Sequence, residues 1–558
     1  MALDLTADQK DLGKANTNAA AEDLSRRGFM KSVAAGAVLA PVAAATYFGY
    51  EASQGKPVKT ALIGCGDEGG VLMNEHDPKT VEIIAVCDIR PFNQNRIIEG
   101  DGTVARRGYK AIYGDQAGEK VRNAHTYTDI KEMLEKEKDL EAVIIALPLH
   151  LHKPVAIDCM KAGKHVLCEK LMARTVADCK EMIKVAKETN RILSIGHQRH
   201  YSLLYAHATE MINAGILGDI KHIRALWHRN FSWPWSPDGK MVVVQNVPGI
   251  KQPAPMFRDS WFPPIQQMDY DALKDKYSQY GYKSVEELIR WRLFNRTGGG
   301  LMAELGSHQL DAASIFLGKV KPLSVQGVGT RSFFGDVRDE KDKRNPRAID
   351  DSVFVTFEFP GKNHPQGANK GSDPHDVVVL TYSSISTNEF EPYGETVMGT
   401  RGTMVVSTES ELMLYKEPDK TKRGTPAKAT TVKVDTVGNK PALEAAGSSP
   451  PAAAAVPVSG VAGTAGPVIP VSRGYKEEMA DFAHCVRLWK NETGYQKDGD
   501  GKYVQRLPRC HGEVAMADAI LALTANLAMA RRQKIDFDLD WFKSDSEKCP
   551  DTGVEHKD

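Results

Sequence analysis

The stretch Lys59–Gly70, KTALIGCGDEGG, constrains this chain more than any other. The apolar run Ala61-Leu62-Ile63 ends directly in Gly64-x-Gly66-x-x-Gly69, a glycine pattern that leaves a strand and opens a helix. The first glycine permits a tight turn, the second lets the backbone approach a pyrophosphate, and the third lets the helix pack on its strand. The N–H groups that begin the helix then face the phosphates. A second apolar run, Val81–Cys87, ends in Asp88, nineteen residues after Gly69. A carboxylate there can accept both ribose hydroxyls, which favours NAD; Arg90 close by leaves NADP possible. Asp67 and Glu68 add negative charge at the helix start, so their side chains are expected to point away from a bound pyrophosphate.

From Lys59 onward strand and helix patterns alternate. Strands are predicted at 59–64, 81–87, 142–147, 165–168 and 192–196, with helices between them, for example 128–138, 155–162 and 175–189. This alternation specifies an α/β fold, a Rossmann-type doubly wound parallel sheet over 57–200. After a helix at 201–214 the pattern changes. Strand-like runs at 220–228, 322–329, 352–359, 377–384, 395–398 and 403–406 lack regular helices between them. A second α/β domain with an open, mostly antiparallel sheet is therefore expected over 201–542. Helices at 475–489 and 513–530 follow. Two insertions interrupt the second domain: 231–284, rich in Trp, Pro and Tyr, and 440–470, a Pro/Ala/Gly segment read as a disordered surface loop.

At 558 residues the chain is too long for one core. Basic and acidic residues number 72 each, which gives no reason to expect a nucleic-acid partner. The eight cysteines are scattered, with no C-x-x-C pair or zinc spacing. They read as mostly free, buried thiols of a chain that folds in a reducing compartment, and no metal site is expected. Residues 1–56 read as a disordered segment followed by a signal. Ser25-Arg26-Arg27-Gly28-Phe29-Met30-Lys31 precedes a mildly apolar, alanine-rich stretch, the signature of twin-arginine export. That route carries folded, cofactor-loaded proteins. It implies the export machinery as a partner and a bacterial, periplasmic or otherwise exported location.

Two further stretches carry chemistry. Gly163–Lys170, GKHVLCEK, is a strand ending in Glu169-Lys170, and a lysine at the carboxyl end of a parallel strand faces the ligand crevice. Gly298–Asp311, GGGLMAELGSHQLD, passes from a triple glycine into a helix. On that helix Glu304, His308 and Asp311 fall at i, i+4 and i+7, on one face. A carboxylate beside a histidine orients the ring and raises its basicity; taken alone, the pair reads as an ordinary surface pair.

Taken together, GCGDEG, AVCD at 85–88, LPLHLH at 147–152, AGKHVLCEK at 162–170, GHQRHYS at 196–202, the 298–311 stretch and MGTRGTMVVS at 398–407 make the chain similar to the Gfo/Idh/MocA oxidoreductase family over about 57–540. The resemblance implies a Rossmann domain and an open-sheet domain that commonly forms the oligomer interface, hence a homo-oligomer, a dimer or tetramer. It implies that Lys170 binds the nicotinamide ribose and the reacting hydroxyl, that His308 accepts the proton, and that Glu304 stands where many relatives have Asp. Gly64, Gly66, Gly69, Asp88, Pro148, His152 and Glu169 join Lys170 as nucleotide contacts. Arg199, Tyr201 and Asp311 are candidate substrate contacts. Leu171 departs from the family pattern, which has a proline there that is often cis.

These residues lead to an exported NAD(P)-dependent oxidoreductase that acts on a hydroxyl of a sugar, polyol or glycoside. Two other readings keep the same residues. An NAD-dependent glycosidase would oxidise, eliminate, hydrate and reduce again, and a non-enzymatic relative would only bind nucleotide and sugar. Trp233, Trp235 and Trp261 are candidates to stack on a sugar ring or, equally, to pack between domains.

Overall fold

A computed structural model describes residues 5–26, 47–50, 55–231, 243–247, 250–253, 259–336, 347–417, 432–437, 440–445 and 472–552. Six strands form the first sheet: β1 (Val58–Ile63), β2 (Val81–Cys87), β3 (Thr126–Tyr127), β4 (Ala142–Ile145), β5 (His165–Glu169) and β6 (Leu193–Gly196). Their order is β3-β2-β1-β4-β5-β6, all parallel. The order reverses beside β1, so the crevice opens at the carboxyl ends of β1 and β4, where the glycine turn sits. These strands are buried on both faces and read as continuous apolar runs for that reason. Asp129 and Thr175 cap the helices Ile130–Lys136 and Val176–Thr189, accepting from Glu132 N and Asp178 N.

The second sheet begins with β7 (Ile220–Trp227). The hairpin β8 (Val243–Val247) and β9 (Ile250–Pro253) stands apart from it. The sheet continues with β10 (Ser324–Thr330), β11 (Ser352–Pro360), β12 (Val377–Ile385), β13 (Tyr393–Gly399), β14 (Gly402–Ser407) and β15 (Glu411–Lys416). A second hairpin, β16 (Val432–Val437) with β17 (Lys440–Ala445), precedes the short β18 (Ile535–Asp536). The eight-stranded order is β15-β14-β13-β7-β12-β11-β10-β18, and only the β12–β7 pair is parallel. Alternating burial along β11 and β12 shows one covered face. The helix Gly512–Arg531 is buried almost all round against this sheet and helix Val176–Thr189, which accounts for its unbroken apolar composition.

Three expectations change. Residues 7–26 form a helix where disorder was expected. Asn16 Nδ2 donates to Leu414 O and Thr17 Oγ1 to Leu412 O, each at 3.0 Å; small buried side chains let a polar helix lie close on β15. Residues 440–445 pair as β17, so only 446–470 of the low-complexity insertion lies outside the described residues. The helix Tyr475–Leu488 returns to the first domain. Tyr475, Met479 and Phe482 pack with Val58, Leu62 and Val81, so the Rossmann core is closed by chain from beyond 201.

Candidate active site

The three glycines act differently. Gly64 has φ +92°, and a Cβ there would lie 2.2 Å from Ala146 O. A Cβ on Gly69 would lie 2.1 Å from Gly64 O, so the helix Asp67–Glu75 packs directly on the turn. A Cβ on Gly66 meets nothing within 4 Å and faces open space. Gly64 and Gly66 line a cavity of about 790 Å³ that also reaches Asp88, Pro148, His152, Glu169 and Lys170. This cradle, open where a pyrophosphate would lie, fits a dinucleotide.

Asp88 takes Cys65 N–H at 2.8 Å and Asn93 Nδ2 at 3.0 Å on one oxygen, and Arg90 N–H at 2.8 Å on the other. The carboxylate is thus anchored to the glycine turn itself. Arg90 Nε pairs with Asp269 Oδ2 at 2.9 Å, so its charge already has a partner. Asp67 and Glu68 do not point away: both line the cavity. Burial would raise the Asp67 carboxyl, but Arg96 at 2.8 Å and the nearby Arg292 hold it below its ordinary value. Glu68 Oε1 is buried without a partner among the described residues.

Lys170 follows β5. Its peptide to Leu171 is cis, the isomer implied by the motif's proline, with leucine in that place. Its Nζ donates to Glu304 O at 3.0 Å. His152 ties the loops after β4 and β5 together, with Nδ1 2.8 Å from Leu171 O and Nε2 2.8 Å from Leu147 O. Glu169 accepts Lys170 N–H at 3.2 Å; burial and the charge of Glu68 push its carboxyl up to about 8.

The Glu304–His308 pairing fails. Met302–Gly306 is a π-helical turn and only Ser307–Phe316 is α-helical. The wider turn breaks the i, i+4 register. The Glu304 carboxylate instead accepts Arg292 Nε at 2.9 Å. Burial opposes its ionisation, but Arg292 and Lys170 hold it below the ordinary range. Glu304 lines the cavity. His308 lies outside that lining, 7% exposed, with Nδ1 unpartnered and its ring 5.2 Å from that of Trp227. Burial, then Lys170 and Arg199, push its pKa well below 6.5. Asp311 acts the other way but is outweighed by burial and the cations, and Glu304, the carboxylate expected beside the ring, does not pair with it; the ring is held neutral, in its proton-accepting form.

The three candidate substrate contacts are engaged by the protein's own groups. Arg199 is fully buried between Glu395 and Glu409, at 2.9 and 2.7 Å. Tyr201 OH accepts Cys510 N–H at 3.1 Å. Asp311 joins His200 at 2.8 Å and Lys319 at 2.6 Å. None lines the cavity. Asp311 and Asp518 also belong to buried groups of metal-ligand type with His197, His200 and Cys510, but the Lys319 ammonium bridges both carboxylates, supplying the charge a metal would bring. All eight cysteines are free and seven are buried. Trp261 lines the cavity and packs on Phe231, with ring centroids 5.6 Å apart; Trp233 and Trp235 lie outside the described residues. Sequence reasoning missed Arg292 and Trp227. Arg292 precedes the triple glycine with no spacing to mark it, and Trp227 reads as an ordinary strand residue.

A parallel sheet with a glycine cradle at its switch point, joined to an open, mostly antiparallel sheet, defines a two-domain nucleotide-binding protein. Sequence models of one oxidoreductase family match both parts: its NAD-binding Rossmann fold at 58–197 and its C-terminal α/β domain at 273–445. Together they span more than half of the chain, which belongs to this Gfo/Idh/MocA family; its cofactor is NAD. Among curated relatives, a glycosyl hydrolase family 109 protein of Stenotrophomonas maltophilia is 32% identical over 176 residues, 31% of this chain and 36% of that protein. The inositol 2-dehydrogenase of Salmonella typhimurium is 30% identical over 164 residues, 29% of this chain and 43% of the relative. The matches thus span less than half of those relatives' lengths. A solved levoglucosan dehydrogenase complexed with NADH and levoglucosan superposes with a TM-score of 0.52 at 16% identity, covering 87% of this chain and 100% of that one, a likeness of fold.

Proposed function

We propose that this protein is an exported NAD-dependent oxidoreductase acting on a hydroxyl of a sugar, polyol or glycoside. The observation that carries the reading is the contact of Lys170 Nζ with Glu304 O, which joins the end of β5 to the turn leading into His308. In this reading Lys170 donates to the reacting oxygen and His308 takes its proton. Glu304 holds Arg292 and so shapes the wall beside them. A bound NAD would supply the hydride acceptor for the substrate carbon. The twin-arginine motif supports export. Val328 and Phe354, directly paired across β10 and β11 and both about half exposed, support a homo-oligomer formed through the open sheet face.

A second reading is a redox-neutral glycosidase. Its support is the likeness to the family 109 protein and to an alpha-N-acetylgalactosaminidase of Shewanella oneidensis, 26% identical over 194 residues, 35% of this chain and 40% of that protein. Mass spectrometry of purified protein for bound nucleotide, followed by a product screen, tests both. An oxidised sugar with stoichiometric reduced cofactor supports the dehydrogenase, and free sugar without accumulated NADH supports the glycosidase. Neither product with any sugar or glycoside would leave only nucleotide binding.

A further inference from the structure

Arg229 is a part-buried arginine beside Trp227. Arg199, Arg290, Arg292 and Arg347 each hold a carboxylate. Arg229 follows β7 with its backbone fixed, N–H to Ile385 O at 2.8 Å, yet its guanidinium has no carboxylate partner among the described residues. It lies over the Trp227 ring, 5.6 Å from the centroid. The His308 ring is 5.2 Å from the same indole, and Tyr393 stacks on that indole at 4.7 Å. The groups facing Arg229 are Arg292, Glu304, Tyr382 and Tyr393. Of these only Glu304 is a carboxylate, and Arg292 already holds it at 2.9 Å. Three cations, Lys170, Arg229 and Arg292, therefore surround one carboxylate beside a neutral imidazole.

A part-buried guanidinium without a carboxylate partner is unfavourable. Burial and Arg292 accordingly push the Arg229 pKa down. An anion arriving with the ligand relieves this. The planar fork matches a carboxylate in bidentate fashion.

We infer that Arg229 is a specificity determinant for a carboxylate on the substrate, so that the sugar acted on is a uronic acid or a glycoside of one. This rests on the reading that the reacting hydroxyl lies at Lys170 and His308. The carboxylate contact would be shared by Arg229 and Arg292.

Calorimetric titration of the NADH-loaded full chain with D-glucuronate and D-galacturonate, against D-glucose and D-galactose, tests it. The uronates should bind at least about tenfold more tightly, and Arg229→Gln should bring that ratio close to one without a matching fall in NADH affinity. Equal binding of acids and neutral sugars, no binding of either acid, or an unchanged ratio in Arg229→Gln overturns it. A parallel loss of NADH affinity assigns the guanidinium to the nucleotide and overturns it too. Arg229→Lys, which keeps the charge and loses the fork, should show an intermediate ratio and serves if the glutamine variant does not fold. Turnover on the same samples separates the two readings. Uronate binding with neither oxidation nor glycoside cleavage removes the enzymatic reading and leaves this one. Turnover confined to neutral sugars does the reverse.

Discussion

The guanidinium of Arg199 donates to the backbone carbonyl of His308 at 2.6 Å. A residue of the first domain's last turn thus holds the position of the proposed base in the second. Arg199 also stands between the buried Glu395 and Glu409 and over the Tyr205 ring, 5.2 Å from its centroid. Arg199→Ala would leave two buried carboxylates without their cation and should cost about 3–5 kcal/mol of stability. Denaturant unfolding measures this. An unchanged midpoint would show that the pairing does not hold the domains together.

His308→Ala should lower turnover by about a hundredfold or more, the scale of a positioned general base, while nucleotide still binds. The pH dependence has a definite sign. Burial and neighbouring cations depress the His308 pKa below 6.5, so its proton-accepting form persists as pH falls. The acid limb of kcat/KM should therefore lie well below 6.5. A limb at 6.5 or above would mean that a carboxylate pairs with the ring in solution.

Glu169 shifts the other way. Its carboxyl is raised from 4.5 to about 8 by burial and the charge of Glu68. Its stabilising protonated form is fully present below 4.5, and the contribution is lost as pH rises towards about 8. Glu169→Gln, permanently neutral, removes that loss. The difference in Tm between variant and wild type should grow in the variant's favour across this interval; a pH-independent difference would argue that Glu169 is ionised throughout.

Gly66→Ala and Gly69→Ala separate binding from folding. A Cβ at 66 meets nothing within 4 Å, whereas one at 69 lies 2.1 Å from Gly64 O. Gly66→Ala should keep the wild-type Tm and lose NAD affinity, because the methyl fills the pyrophosphate space. Gly69→Ala should lower Tm as well. Calorimetry with NAD beside a thermal melt reads both; equal Tm losses would remove the distinction.

Arg26→Lys with Arg27→Lys should leave folded protein in the cytoplasm. Fractionation with an activity or nucleotide readout tests this, and unchanged export of the double variant would remove the twin-arginine reading.

The sequence by itself determined the parallel sheet, the glycine cradle with Asp88 and the position of Lys170. These depend on local order, because a strand, a turn and a helix start occupy consecutive residues and their chemistry is set by short spacing. Tertiary structure decided the rest. A π-turn, set by packing around Met302–Gly306, turned Glu304 from His308 to Arg292. Long-range pairs took Arg199 and Asp311 out of the cavity lining, through partners as distant in sequence as Glu409 for Arg199 and His200 for Asp311. Docking on β15 ordered a polar N-terminal helix. Helical periodicity reports which residues share a face only while the helix is α, and a buried charge finds its partner through the folded chain, which one-dimensional spacing does not encode.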